Sequence, residues 1–268
     1  MIFTFIDTDI NVKMNIRSYC YDHFVLYISM DSVVNVFMCI RNNEDTLQKT
    51  FDALEEISKQ YHDLEFRYFI YENDSTDNTK RIALAFMRTH TGQFYSEVRG
   101  AKEWHGGENI DRSEDMRWYR MKMKNLCTDF DRSKHSVILD TNITFDTSTF
   151  KKMTEILDDN TDVHMVTPFG VMENRRTRYY DTYALDIDSK YYGTNLKKLR
   201  YEMRNKNLVD LKSGFGGFIM IRTKTLKKCD WKLIPGKVCS EHNGFCEEVL
   251  KYGRVVFAKD VKVIWKRD

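Results

Sequence analysis

Apolar positions recur along this chain with two periods, and the alternation between them outlines a fold. Val33–Ile40 (VVNVFMCI) is a near-continuous apolar run, as expected of a strand covered on both faces. Leu47, Phe51, Leu54 and Ile57 follow at helical spacing. Asn43 stands ahead of them as N-cap, with Glu44 and Asp45 in a first turn whose dipole favours acids. Phe66–Tyr71 reads as a second strand running into the turn Glu72-Asn73-Asp74-Ser75-Thr76-Asp77. There Ser75 or Thr76 is expected to cap a helix carrying Ile82, Phe86 and Met87. A third helix is expected from about Ser113 to Cys127, with Met116, Tyr119, Met123 and Leu126 on one stripe. Arg117, Arg120 and Lys124 form a basic stripe beside it. Ser136–Leu139 is a short strand ending at Asp140; Phe150–Leu157 is helical, and Val163–Val166 is the next strand.

This order predicts an α/β protein, a Rossmann-like three-layer α/β/α sandwich with a mostly parallel sheet. The last third changes character. Tyr179–Leu185 reads as an irregular strand and Phe215–Ile221 (FGGFIMI) as a strand opened by glycines. Ser240–Lys251 reads as a capped helix, with Arg254–Phe257 and Val261–Ile264 as two final strands. The segment Ser189–Asn207, rich in Lys, Asn and Tyr, is expected to be a mobile lid or a small helical insertion. One domain over 1–268 is expected, with halves near 33–145 and 146–268.

Composition narrows the class. With 42% hydrophobic and 31% charged residues the chain reads as globular, not disordered. A near balance of 42 basic and 40 acidic side chains gives no reason to expect a nucleic acid or an acidic membrane as partner. No apolar stretch is long enough to cross a bilayer, and the opening MIFTFIDTDI lacks the pattern of a signal peptide. Cys20, Cys39, Cys127, Cys229, Cys239 and Cys246 include no CxxC pair, which argues against a zinc ribbon and for free thiols in a reduced compartment. Many Asn, Lys, Ile and Tyr beside two Pro suit an AT-rich genome, such as that of a large DNA virus. The expected location is the cytoplasm, or the host cell or virion.

Chemistry is expected where strands end, because ligands of open α/β sheets sit at the carboxyl ends. Arg41-Asn42-Asn43-Glu44, Glu72 to Asp77 and Asp140-Thr141-Asn142 are three polar clusters at such ends. Asp140 and Asn142, one spacer apart, suit a hard divalent cation, Mn²⁺ or Mg²⁺, that neutralises a diphosphate leaving group. Ser240 caps a helix on whose inward face Glu241 and His242 lie. Glu241 suits a general base or a stabiliser of an oxocarbenium-like centre, and His242 a further metal ligand. Arg117, Arg120 and Lys124 either reach the diphosphate or form a solvated helix face. Asp181, Asp186 and Asp188 suit acceptor hydroxyls, and Asp181 joins Glu241 as a catalytic candidate. Gly214, Gly216 and Gly217 suit close backbone approach to a donor sugar, and Trp104-His105-Gly106-Gly107 a loop near the site.

IRNNEDTL, YENDSTDNT and VILDTNITF together resemble the nucleotide-sugar half of GT-A glycosyltransferases. A closer resemblance is to the fungal capsule-associated α-mannosyltransferases. It is carried in order by Asn42 to Asp45, Tyr71 to Thr79, Lys124-Asn125, Asp140 to Asn142, Tyr180-Asp181-Thr182, Ser240-Glu241 and Phe245-Cys246. It extends over roughly Val33 to Val263, with Lys124 and Asn142 as departures from the family pattern. The resemblance implies that Arg41, Asn42, Glu44 and Glu72 contact the nucleoside, with Asp140 and Asn142 at the metal; Asp74 joins the nucleotide-binding candidates. The resemblance also implies a hexose moved from a UDP- or GDP-sugar donor to a glycan or protein side-chain hydroxyl, hence a glycan or glycoprotein acceptor, with retention of anomeric configuration; the alternative reading is a hydroxylysine, collagen-type glucosyltransferase that uses UDP-glucose. A nucleotidyltransferase is the rival enzyme class, but it needs a Gly-rich phosphate loop where Arg41-Asn42-Asn43-Glu44 stands. A carbohydrate-binding protein that kept the fold without catalysis is the non-enzymatic rival.

Overall fold

Strand β1 (Val33–Ile40) is buried along almost its whole length, so both of its faces must be covered. The computed structural model describes residues 33–100, 110–189 and 196–266. After β1 come α1 (Glu44–Gln60), β2 (Glu65–Asn73), α2 (Thr79–Met87), β3 (Thr91–Glu97), α3 (Ile110–Asn125) and β4 (Ser133–Leu139). The second half holds β5 (Ile143–Thr144), α4 (Thr147–Asp159), β6 (Val163–Met172), β7 (Arg175–Tyr179) and α5 (Leu196–Asn205). It closes with β8 (Leu208–Leu211), β9 (Phe218–Arg222), α6 (Thr223–Leu226), α7 (Glu241–Leu250) and β10 (Arg254–Trp265).

The two-residue repeat of β1 divides the core. Val34, Val36, Met38 and Ile40 join Leu47, Phe51, Leu54 and Ile57 of α1 and Phe150, Met153 and Leu157 of α4. Phe37 faces the opposite layer, with Tyr119 and Met123 of α3 and Phe245 and Val249 of α7. Each such side chain contributes roughly 1.5–3 kcal/mol on burial, so the apolar run of β1 is explained by two helical layers. The expected three-layer sandwich is present.

The sheet runs β3-β2-β1-β4-β9-β6-β10-β5, with β7 on β6 and β8 on β10. The expected parallel pairing holds across β3-β2-β1-β4 and between β6 and β10. Strand β9 enters between β4 and β6 antiparallel to both, which makes the sheet mixed. Such an insertion cannot be read from local periodicity, because it rests on pairing between distant segments.

Several local expectations are corrected. Asn43 precedes α1, but its side chain accepts from Arg41 N at 3.0 Å and does not cap the helix. Helix α2 starts later than expected, after Asn78, because Ser75 and Thr76 bond Asn42 instead. Strand β3 was not foreseen; its pattern is largely exposed because it lies at the sheet edge. Tyr179 ends β7, and 180–185 is turn, not strand. The two expected final strands are one, β10, whose pairing with β6 skips residues between Ala258 and Lys262. Asp146 caps α4 through Thr149 N at 2.9 Å, and Ser240 caps α7 through His242 N at 3.2 Å. Within Ser189–Asn207, α5 is a helix, while 190–195 lies outside the described residues. So does the Trp104-His105-Gly106-Gly107 loop. Cys39, Cys127, Cys229, Cys239 and Cys246 are free thiols. Among the described residues no helix is long and apolar enough to cross a membrane.

Candidate active site

Strands β2, β1 and β4 are parallel neighbours, so their carboxyl ends open on one edge. Ile40 pairs with Glu72, and Met38 with Leu139, which brings Arg41, Glu72 and Asp140 to that edge. The loops leaving β1 and β2 are stitched together. Asn42, in the left-handed region at φ 49°, donates its N–H to Ser75 Oγ at 3.1 Å and accepts from Thr76 N at 2.8 Å. Glu44 Oε2 accepts from Asn78 N at 2.8 Å, and Asp77 accepts from Glu44 N at 3.0 Å. Glu72, 2% exposed, accepts from Ser75 N at 2.9 Å and from Ser96 Oγ. Asp74, also left-handed at φ 53°, accepts from Arg99 N and Gly100 N at 2.8 and 2.9 Å. These residues therefore shape the rim: their oxygens are engaged in fixing two loops. Burial raises the Tyr119 phenol, Asp115 and Asp74 push it further and Arg99 and Arg41 pull it down, so Arg41 and Asp74 act on one point of α3.

At the end of β4, Asp140 N donates to Gly217 O at 2.8 Å, because Leu139 pairs with Phe218 at the start of β9. Gly216 and Gly217 have φ of 67° and 83°, and a Cβ on Gly217 would stand 2.7 Å from the Trp265 ring. The glycines let β9 begin close against Asp140.

The centre of the site is a buried cation. Arg120 on α3, 2% exposed, donates from Nη2 to Asp140 Oδ1 at 2.9 Å. Its Nε lies 4.0 Å from Glu241 Oε1, and its Cζ stands 4.8 Å over the Phe215 ring. Burial disfavours the guanidinium charge, but Asp140, Cys39 and Glu241 more than offset it and leave the pKa above the ordinary value. Glu241, 3% exposed at the start of α7, accepts from Ser240 Oγ at 3.1 Å and lies 3.2 Å from His242 Nε2. His242 stacks on Phe215 with centroids 4.1 Å apart. Burial, reinforced by Arg120, holds the His242 pKa well below its ordinary value, so at neutral pH the ring is uncharged.

Asp181 lies in the turn after β7. Among the described residues, its Oδ2 accepts from Gly216 N at 3.0 Å and its Oδ1 from Ala184 N at 3.4 Å. It keeps partial solvent contact yet is densely surrounded. Burial, with the charges of Asp140 and Glu241 adding to it, pushes its pKa up to about 6.

The fit to a divalent cation is uneven across the expected ligands. Asp140 is 23% exposed and gives Oδ1 to Arg120. One or two carboxylates plus substrate phosphates form the usual cradle of a Mg²⁺-type ion, and Asp140 fits that arrangement. Asn142 is half-buried beside it, its carbonyl tied to Lys266 N at 2.8 Å. His242 is 4% exposed; its Nε2 is turned to Glu241, while its Nδ1 is buried with no hydrogen-bond partner among the described residues. Among the described residues no group of three or more His, Cys, Asp or Glu stands ready to hold a metal.

Lys124 is not free to reach a diphosphate. It is 6% exposed, and its ammonium donates to Cys229 O at 2.6 Å, Asp230 Oδ1 at 2.7 Å and Lys227 O at 3.4 Å. Three donors are thereby engaged, and the lysine anchors α3 to the segment after α6. Arg117 is half-buried one turn ahead of Arg120. Asp186 is buried and bridges backbone-to-backbone with Ser213. The clamping role of Arg120 escaped sequence reading although a signal existed: 116, 119, 120 and 123 share the inward helical face, so Arg120 sits in the apolar stripe.

No protein-family model matches the chain. No curated protein matches it in sequence. Solved structures match its fold. Staphylococcus aureus TarS 1–349 in complex with UDP-GlcNAc is similar at TM-score 0.55 and 12% identity, over 88% of this chain and 58% of that one. The mannosyltransferase PcManGT from Pyrobaculum calidifontis, in complex with GDP-Man and Mn²⁺, matches at 0.52 and 13%, over 87% and 56%. Glucosyl-3-phosphoglycerate synthase from Mycobacterium tuberculosis, in complex with Mn²⁺, UDP and phosphoglyceric acid, matches at 0.50 and 12%, over 89% and 72%. This is the GT-A fold. The chain spans about 58% of the length of the TarS structure and 56% of PcManGT.

Proposed function

We propose that this protein is a glycosyltransferase that moves a hexose from a UDP- or GDP-sugar to a hydroxyl of a glycan or a protein side chain. The observation that carries the proposal is Asp140, presented at the end of β4 beside the rim built by Arg41, Asn42, Glu44, Glu72 and Asp74, with Asp181 in its field. The half near 33–145 takes the nucleotide, and the half near 146–268 supplies Asp181 and Glu241. In the transfer, the bond between the sugar's anomeric carbon and the diphosphate breaks, and its electron pair leaves with the diphosphate. The acceptor oxygen bonds to that carbon and loses its proton. Asp181 Oδ1 is the oxygen suited to take it, because its bond from Ala184 N is long at 3.4 Å and its pKa lies near the working pH. Glu241 positions Arg120 from behind and fixes the guanidinium on Asp140. A divalent ion, Mn²⁺ or Mg²⁺, held by Asp140 with Asn142 nearby, would supply charge neutralisation for the departing diphosphate.

The test is a donor-hydrolysis and thermal-shift screen over common UDP- and GDP-sugars, with and without Mn²⁺. Hydrolysis of at least one donor, with stabilisation by its nucleotide, is the expected result. Stabilisation by sugars with no response to any nucleotide would replace this reading with a carbohydrate-binding one.

A further inference from the structure

Beside Asp181 stands an aromatic shelf that the proposed donor site does not use. Tyr180 is 46% exposed. Its ring lies on the Trp265 indole, with centroids 4.8 Å apart and planes at 50°. Trp265 is 8% exposed and lies against two glycines. A Cβ on Gly217 would stand 2.7 Å from its ring, and one on Gly170 2.9 Å from its Nε1. Single exposed aromatics are common and need no function. This one is fixed in both ring and backbone. Tyr180 N donates to Gly170 O at 2.8 Å, and Thr182 N to Tyr180 O at 2.7 Å, closing a three-residue turn centred on Asp181. Asp181 is tied to Gly216 N at 3.0 Å. Ring and carboxylate thus belong to consecutive residues, with α-carbons about 3.8 Å apart, within the reach of one hexose.

We infer that Tyr180 is the acceptor platform, and that the acceptor is a glycan whose pyranose ring lies on the tyrosine with a hydroxyl at Asp181. This rests on the proposed function and narrows its acceptor to one class. Strands β9 and β6 lie on the side of β4 away from β1 and β2, so the shelf stands across Asp140 from the rim proposed for the nucleotide. From there an acceptor reaches the anomeric carbon without crossing the departing diphosphate. The C–H face of a pyranose is rigid and apolar, and it matches a flat ring that has an apolar body and a polar tip. A lysine-like side chain offers no such face and loses more rotamer freedom when ordered. Trp265 and the Gly170 bond preset the tyrosine, so little is lost in ordering the platform itself.

The experiment gives the full chain a hydrolysable UDP- or GDP-sugar together with methyl glycosides of glucose, galactose and mannose, or with a hydroxylysine peptide. Acceptor and donor KM are measured for wild type, Tyr180→Ala and Tyr180→Phe. Transfer to at least one glycoside is expected. Tyr180→Ala should raise the acceptor KM about tenfold, a larger change than in the donor KM, and Tyr180→Phe, which keeps the ring, should stay within about twofold. If the alanine variant does not fold, Tyr180→Leu, apolar but without a flat face, takes its place. An unchanged acceptor KM, an equal loss in the alanine and phenylalanine variants, or a shift falling mainly on the donor KM overturns the inference. So does donor hydrolysis with transfer to no glycoside, whether or not the peptide is used, and each of these leaves the transferase reading standing. Failure of every nucleotide to bind and of every donor to be hydrolysed overturns the proposed function and this inference together.

Discussion

Arg120 Nη2 lies 2.9 Å from Asp140 Oδ1, joining helix α3 to the end of strand β4 through an ion pair whose cation is 2% exposed. Two long-range elements are thereby held in register at the end of β4, the proposed donor site. A buried charge without its partner is strongly unfavourable, so this pair constrains the site more than it stabilises the fold. Its consequences can be measured.

Replacing Asp140 with Asn keeps the shape and removes the charge that orients Arg120. The expected outcome is a folded protein whose kcat/KM falls by about 100-fold or more, as for any displacement of reacting groups by an ångström. Steady-state kinetics on the best donor, beside a melting curve, checks it. Wild-type-like turnover would remove Asp140 from the mechanism.

Asp181 sets a pH dependence. With a pKa near 6, it accepts a proton only above that value, so kcat/KM should rise tenfold per pH unit below about 6 and level off above it. Asp181→Asn should abolish both the activity and the rising limb. Stability runs the other way. A carboxyl whose folded pKa is raised from 3.8 stabilises the fold only at low pH, and that contribution is lost as pH climbs through about 6. Asp181→Asn should therefore melt above the wild type at pH 7, with the gap closing towards pH 4.

Lys124 separates structural from functional charge. Lys124→Met should lower stability by about 1–3 kcal/mol, because the carbonyl of Cys229 loses its donor. Nucleotide affinity should be unchanged. A loss of affinity with stability intact would return Lys124 to the donor site.

Gly217→Ala tests the backbone beside Asp140. At φ 83° an alanine is strained, and its Cβ would fall 2.7 Å from Trp265 and 2.8 Å from Ile143. A stability loss of at least about 1–3 kcal/mol is expected, with reduced turnover as Gly217 O shifts from Asp140 N. Chemical denaturation and kinetics on the same preparation would show it. An alanine variant of full stability and activity would mean that the start of β9 is more yielding than its contacts indicate.

The alternation of apolar runs already carried the layered architecture, because β1 and α1 declare their periods within a few residues of themselves. The cap at Ser240 was equally legible, being a bond to a backbone N–H two residues on. What chain order could not decide was pairing between distant parts. The antiparallel entry of β9, the single bulged strand β10, and the engagement of Glu72 and Glu44 in loop-to-loop bonds all depend on residues far apart in the chain. So does the difference between Arg120 and Lys124, four residues apart on one helix. One faces Asp140 at the strand ends and the other the Cys229 carbonyl, and only packing, which fixes what lies opposite each turn, made one a site residue and the other an anchor.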